Sequence, residues 1–139
     1  MYKIVEENID VDLLLKEVNS KKFFNCGPQV DLQKWDTCLY ESLEYTNSLI
    51  NRFNMYHTRL MMLKSTQCYS WHSDMAPRIH FPLITNGSCF FVLEDRTFTL
   101  PAGKGYWIDT RKQHSAFNGN KIQTNFNRWH IVGNTDEIF

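Results

Sequence analysis

Four of the five histidines fall between residues 72 and 130. They sit in short polar clusters: W-H-S-D at 71–74, R-I-H-F-P at 78–82, Q-H-S-A at 113–116 and R-W-H at 128–130. Residues i and i+2 of a strand point to the same face, so His72 and Asp74 can aim at one point from a strand end. His114 follows Asp74 by 40 positions, enough for intervening strands to return it to that point. Two histidines and a carboxylate on one side of a metal leave its other side open, as in non-haem Fe(II) centres. Arg78 and His80 share one strand face, and Arg128 and His130 share another. An arginine inside a β core needs an anion, because an unpaired buried charge is costly. A carboxylate matches its forked N–H donors. The expectation is a metal held by His72, Asp74 and His114, with Arg78, His80 and Arg128 around a small acid beside it. Singly, each residue has a plainer reading: H-x-D also occurs in surface turns, and a lone arginine is most often in a surface salt bridge.

The elements that must position these residues follow from the hydrophobic pattern. Lys3 to Val5 is a short candidate strand. Asp10 is a candidate N-cap. Val11, Leu14, Leu15 and Val18 after it repeat at i, i+3, i+4 and i+7, one face of a helix. Gly27-Pro28 marks a turn, and a short strand is compatible with Val30, Leu32 and Lys34 alternating with Asp31, Gln33 and Trp35. Thr46, Leu49, Ile50 and Phe53 repeat the helical spacing, placing a second helix at about 42–53. From Tyr56 the period becomes that of strands. Candidates are Tyr56 to Leu63, Gln67 to Trp71, Arg78 to Thr85, Ser88 to Leu93, Thr97 to Leu100, Tyr106 to Ile108 and Thr124 to Val132. Turn signals at Asn86-Gly87, Glu94-Asp95-Arg96, Pro101-Ala102-Gly103 and Gly119-Asn120 separate them. Many short strands of this kind indicate a sandwich or barrel. The expected organisation is one domain over 1–139, with a mostly helical cover over 1–55 and a β core over 56–133.

Composition narrows the function classes. The net charge is zero with histidine neutral, and no basic run exceeds the Lys21-Lys22 pair in length. Neither nucleic acid nor an anionic membrane is an expected partner. Cys26, Cys38, Cys68 and Cys89 have no C-x-x-C spacing, so neither a zinc ribbon nor a redox motif is signalled. No window approaches the roughly 20 apolar residues of a membrane span. The N-terminus lacks a signal-peptide pattern. A cytoplasmic, reducing location with free thiols is expected.

The motifs taken together carry a resemblance. R-L-M-M-L at 59–63, H-S-D at 72–74, R-I-H-F-P-L-I-T-N at 78–86, G-Y-W-I-D at 105–109, H-S-A-F-N at 114–118 and R-W-H-I-V at 128–132 resemble the aspartyl/asparaginyl β-hydroxylase family, whose relatives include free-proline hydroxylases. The resemblance covers roughly 56–133. It implies a double-stranded β-helix, a jelly roll of the cupin kind, and an oxygenase using Fe(II), 2-oxoglutarate and O2. By the same resemblance His72, Asp74 and His114 match the iron ligands, and Arg128 matches the arginine that pairs with the distal carboxylate of 2-oxoglutarate. Arg78 and His80 match a pair near its metal-chelating end, and Asn118 an asparagine that often follows the second iron histidine. Ser65-Thr66 replaces the usual Pro-Gly, and the gap from His114 to Arg128 is a few residues longer than in many members. The implied partner is a small-molecule or amino-acid-type substrate. The alternatives are a cupin-type metal-dependent isomerase and a non-catalytic β-helix binding module.

Overall fold

The computed structural model describes residues 2–25, 29–34, 37–38, 40–121 and 126–139. Cys26, the Gly27-Pro28 turn, Trp35 and the start of the last expected strand at Thr124 lie outside the described residues. The order is β1 (Tyr2–Glu6), α1 (Val11–Ser20), a 3-10 turn (Phe23–Asn25), β2 (Gln29–Asp31), β3 (Gln33–Lys34), β4 (Thr37–Cys38), α2 (Glu44–Arg52) and β5 (Met55–Leu63). Then follow β6 (Arg78–Ile84), β7 (Cys89–Leu93), β8 (Arg96–Phe98), β9 (Gly105–Ile108), β10 (His114–Asn118) and β11 (Arg128–Thr135). Helices thus precede the main run of strands, as the change of period predicts.

Six strands form the larger sheet in the order β1-β9-β6-β11-β5-β2, and three form a second sheet, β10-β7-β8. Every pairing between strands is antiparallel. Alternation along the strands divides the interior in two. Leu60, Met62, Ile79, Phe81, Trp129 and Ile131 join Leu14, Val18, Leu49 and Ile50 of the helices in one apolar cluster. Leu63, Tyr106 and Ile108 join Phe91, Leu93 and Ala116 of the second sheet in another. The residues between, among them His80, Arg128 and His130, are therefore turned from the helices towards the second sheet. Gly133 marks a register shift between β11 and β5. A Cβ there would lie 2.6 Å from both Met55 Cε and Thr58 Oγ1, so the strands approach too closely for any larger residue.

Local expectations and structure differ in several places, and β10 (His114–Asn118) stands where no strand is expected. Gln67 to Trp71 forms no strand; it touches β10 through single bridges at Cys68–Phe117 and His72–His114. Thr66, at φ 62°, turns the chain just before it and interrupts any ladder. The β7–β8 connection is also tighter than expected: Leu93 pairs with Arg96, which leaves Glu94-Asp95 as a two-residue loop. Among the described residues no helix is long and apolar enough to cross a membrane. Cys68 and Cys89 are free thiols.

Asp10 caps α1, and α1 in turn caps α2. Asp10 accepts from the backbone N–H of Leu13 at 3.1 Å. Leu43, at the start of α2, makes no side-chain cap bond. Glu17 of α1 fills that place, accepting from the N–H groups of Tyr45 and Thr46 at 2.8 Å each and from Thr46 Oγ1 at 2.7 Å. A carboxylate at a helix N-terminus also meets the positive end of the helix dipole. Glu17→Ala is expected to cost about 1–3 kcal/mol, the range for losing hydrogen bonds to a charged acceptor. Urea unfolding of the variant and the parent checks this through the shift in midpoint.

Candidate metal centre and its cavity

The segment after β5 is held against β10 by backbone bonds rather than by a regular ladder. His72 and His114 exchange both of theirs: His72 N–H donates to His114 O at 3.1 Å, and His114 N–H to His72 O at 2.8 Å. A reciprocal antiparallel pair puts its two side chains on the same face. The two imidazole centroids accordingly lie 4.3 Å apart. Two residues on, Asp74 is fixed by its N–H to Thr110 O at 2.8 Å. Its carboxylate lies 3.5 Å from His72 Nε2 and 3.3 Å from His114 Nε2. One ligand atom from each of the three residues lies within 4.8 Å of the others. Among the described residues this is the one cluster of its kind.

The donor set fits a cation. His72 Nδ1 is 2.6 Å from Ser70 O and His114 Nδ1 is 2.9 Å from Lys112 O. A carbonyl can only accept, so each Nδ1 carries the ring proton and each Nε2 is left with a lone pair. Both lone pairs face carboxylate oxygens, an arrangement that repels unless a proton or a metal ion lies among them. Asp74 Oδ2 is buried, and the approach of His114 does not satisfy it as a hydrogen bond. Burial alone would raise the Asp74 pKa. A proton shared from the facing His114 nitrogen, then the charge of Arg78, outweighs it and holds the carboxyl below its ordinary range. Phe91 packs parallel to the His114 ring at 5.6 Å and keeps it in place.

A cavity of about 80 Å³ opens beside this cluster. His72, His114, Arg78, His80, Tyr69, Thr110 and Arg128 supply its polar lining, and Met61, Phe91, Ala116 and Val132 its apolar walls. A larger hollow of about 560 Å³, bordered by α2 and β5, shares none of these residues. The strand register explains the convergence. Arg128 lies opposite Leu63, and His130 opposite Met61. On the other flank of β11, His80 lies opposite Val132 and Arg78 opposite Asn134.

The residues singled out from the sequence are therefore brought together, with one exception. Arg78 Nη2 binds Asp74 Oδ1 at 3.0 Å, so this arginine braces a candidate ligand while facing the cavity. Arg128 is only 5% exposed, yet no described carboxylate lies within ion-pair distance of it. Its Nη1 is 3.2 Å from His130 Nδ1, and its buried Nε has no partner. Burial is the main influence lowering its pKa, partly offset by Tyr69 and Cys89. His80 and His130 are held far below the ordinary histidine value by burial and by the charge of Arg128, so both are neutral at physiological pH. The exception is Asn118. Its amide donates to Leu63 O at 3.1 Å and Phe126 O at 2.9 Å, a clasp between strands outside the cavity lining.

Arg59 is absent from the sequence-derived set. It is 7% exposed, lies two residues from Met61 and donates to His57 O. Burial first, then the charge of Arg78, lowers its pKa to about 10. Its one signal is the alternation Arg59, Met61, Leu63 on β5, opposite Val132, His130 and Arg128. At the outer rim Trp71 is 53% exposed and Met75 wholly so, flanking His72 and Asp74.

The family model for aspartyl/asparaginyl β-hydroxylase matches residues 18–128. The chain belongs to the aspartyl/asparaginyl β-hydroxylase family. No curated protein sequence matches it. Among solved structures, a cupin 2 domain-containing protein from Halorhodospira halophila is 14% identical over 59% of this chain and 54% of its own, with a TM-score of 0.46. The DMSP lyase DddQ from Ruegeria pomeroyi DSS-3 is 15% identical over 59% of this chain and 39% of its own, with a TM-score of 0.43. A non-heme monooxygenase, the ThoJ–Ni complex, is 12% identical over 96% of this chain and 73% of its own, with a TM-score of 0.48. The chain thus spans about half the length of the first protein and less of the second.

Removal of either imidazole tests the donor set. His72→Ala and His114→Ala should each weaken Fe(II) binding by more than the roughly 10–100-fold that loss of an outer-shell partner costs. Asp74→Ala should do less, since water or an anion can occupy the vacancy. Anaerobic calorimetry measures the affinities, and circular dichroism checks that the fold is kept. Unchanged affinity in both histidine variants would remove the metal assignment.

Proposed function

We propose that the chain is a non-haem Fe(II)- and 2-oxoglutarate-dependent oxygenase on a double-stranded β-helix. It hydroxylates an unactivated C–H bond of a small substrate, such as an amino acid or a peptide side chain. Family membership supports the reaction class. The observation that carries the co-substrate is Arg128: a buried guanidinium without a carboxylate, in the cavity that also holds the three candidate ligands.

His72, Asp74 and His114 would hold the iron through two Nε2 atoms and a carboxylate oxygen. Bound Fe(II) supplies oxygen activation, and 2-oxoglutarate supplies the electrons as it is split to succinate and carbon dioxide, one oxygen atom entering the substrate and one the succinate. Arg128 receives the far carboxylate of the diacid, which neutralises a charge the protein leaves unpaired. Arg78 keeps Asp74 ionised and aimed. Neutral His80 and His130 offer hydrogen bonds without adding charge beside the arginines. Phe91, Ala116 and Val132 keep the space between the two ends dry, which strengthens each polar contact.

A metal-dependent isomerase or a binding module would have no use for a diacid, so Arg128 separates the readings. Arg128→Ala should weaken 2-oxoglutarate binding by roughly tenfold to a hundredfold, from about 1.5–3 kcal/mol of charge-assisted contact. Arg128→Lys should recover part of this, since an ammonium cannot make the forked contact. Fe(II) affinity without the acid should stay the same in both. The readout is the weak visible band that forms when the keto acid chelates Fe(II) under anaerobic conditions. Absence of any such band in the parent protein would favour the isomerase or binding-module reading.

A further inference from the structure

Thr110 is only 1% exposed and stands just past the end of β9, on the turn that leads to His114. Arg78 pairs with Ile108 in the β6–β9 ladder, and the antiparallel register carried two residues further sets Ala76 opposite Thr110. No regular ladder continues there. The Thr110 N–H turns back to Ile108 O at 2.8 Å, so it does not serve Ala76. The side chain makes that bond instead: Thr110 Oγ1 donates to Ala76 O at 2.9 Å. Thr110 O meanwhile accepts from Asp74 N–H at 2.8 Å. One residue thus grips the chain at both ends of the span 74–76.

That span joins the candidate ligand Asp74 to its brace, Arg78, whose Nη2 meets Asp74 Oδ1 at 3.0 Å. Met75, in the middle of the span, is wholly exposed, so its side chain anchors nothing there. Further on, Pro77 O is held by Thr135 N–H at 3.0 Å. The two Thr110 bonds are therefore the ones that act on the backbone next to Asp74. Without the hydroxyl, the carbonyl of buried Ala76 loses this donor, and an unsatisfied buried carbonyl is costly. The bend is then free to shift, and Asp74 with it, away from the two Nε2 atoms it faces at 3.5 and 3.3 Å.

We infer that Thr110 is a positioning residue of the metal centre: its hydroxyl, through Ala76, holds the Asp74 carboxylate where the two imidazoles meet it. The inference rests on the metal reading of this site and deepens it. A hydroxyl that acts only through Asp74 has a definite signature. Its loss matters while Asp74 is present and not otherwise.

The test titrates Co(II) into the metal-free protein and follows the visible absorption of the bound ion, which reports its coordination geometry. Thr110→Val keeps the shape of the side chain and removes the donor. It should weaken Co(II) binding about tenfold, the lower end of what loss of a group supporting a metal ligand costs. Thr110→Ser, which keeps the hydroxyl, should restore most of that affinity. With Asp74→Ala already in place, Thr110→Val should change nothing further. Should Thr110→Val not fold, as judged by circular dichroism, Thr110→Ala takes its place in the same cycle. A Thr110→Val protein that binds Co(II) like the parent overturns the inference. An equal loss with and without Asp74 also overturns it, because Thr110 is then a general support of the fold. A Thr110→Ser protein as weak as Thr110→Val does the same, since the methyl group and not the hydroxyl is then at work. A parent that binds no Co(II) fails at the earlier step, and the metal reading falls with the inference.

Discussion

A guanidinium cannot lose its proton under ordinary conditions, so a protein that buries one must surround it with acceptors or leave it for a ligand. Arg128 stands under that constraint. It is almost wholly buried on the central strand β11, with the imidazole of His130 for company. Asp74, the acid on the cavity's rim, is already bound to Arg78 and turned towards two histidines. Arg78 and Arg128 thus line one cavity, and Arg59 lies close enough to feel both Arg78 and Asp74. The neutral state of His80 and His130 follows, because a further charge there would have to form against the arginines without water. The chain as a whole carries no net charge, so the positive character is local to this pocket.

The metal ligands depend on a different device. A single reciprocal backbone pair joins His72 to β10, and that pair sets both rings on one face. The segment before β6 needs no regular strand to do this. A few well-placed bonds, including those of Tyr69 and Asp74, fix its register against β10 and the residue Thr110. The helices lie on the other side of the larger sheet, where they bury its apolar face, and Glu17 of α1 caps α2. They bring no ligand to the cavity. Their part is to bury the apolar face of the sheet whose opposite face carries the charged residues.

Much of this was legible before any coordinates. Val11, Leu14 and Val18, then Thr46, Leu49 and Ile50, announce helices because one face must be buried. The i, i+2 spacing of His72 with Asp74, and of Arg78 with His80, places each pair on one side of an extended chain. What spacing cannot convey is depth or partner. Asn118 belongs to the same motif as His114, yet it sits at the other end of β10 and satisfies two backbone carbonyls. Arg59 looks like any charged residue in an apolar strand until its burial opposite Val132 is known. The segment at 67–71 has the composition of a strand, but the turn at Thr66 leaves it bridged to β10 at isolated points.

The central claim is that one cavity holds a metal on His72, Asp74 and His114 and a diacid that ends on Arg128. The most direct measurement is a crystal structure grown with Mn(II), which is redox-silent towards oxygen here, and 2-oxoglutarate. Anomalous scattering locates the metal independently of the protein phases. The account predicts an anomalous peak bonded to His72 Nε2, His114 Nε2 and Asp74, with the acid's distal carboxylate paired to Arg128. A metal bound elsewhere, or a diacid that leaves Arg128 without a partner, would contradict it.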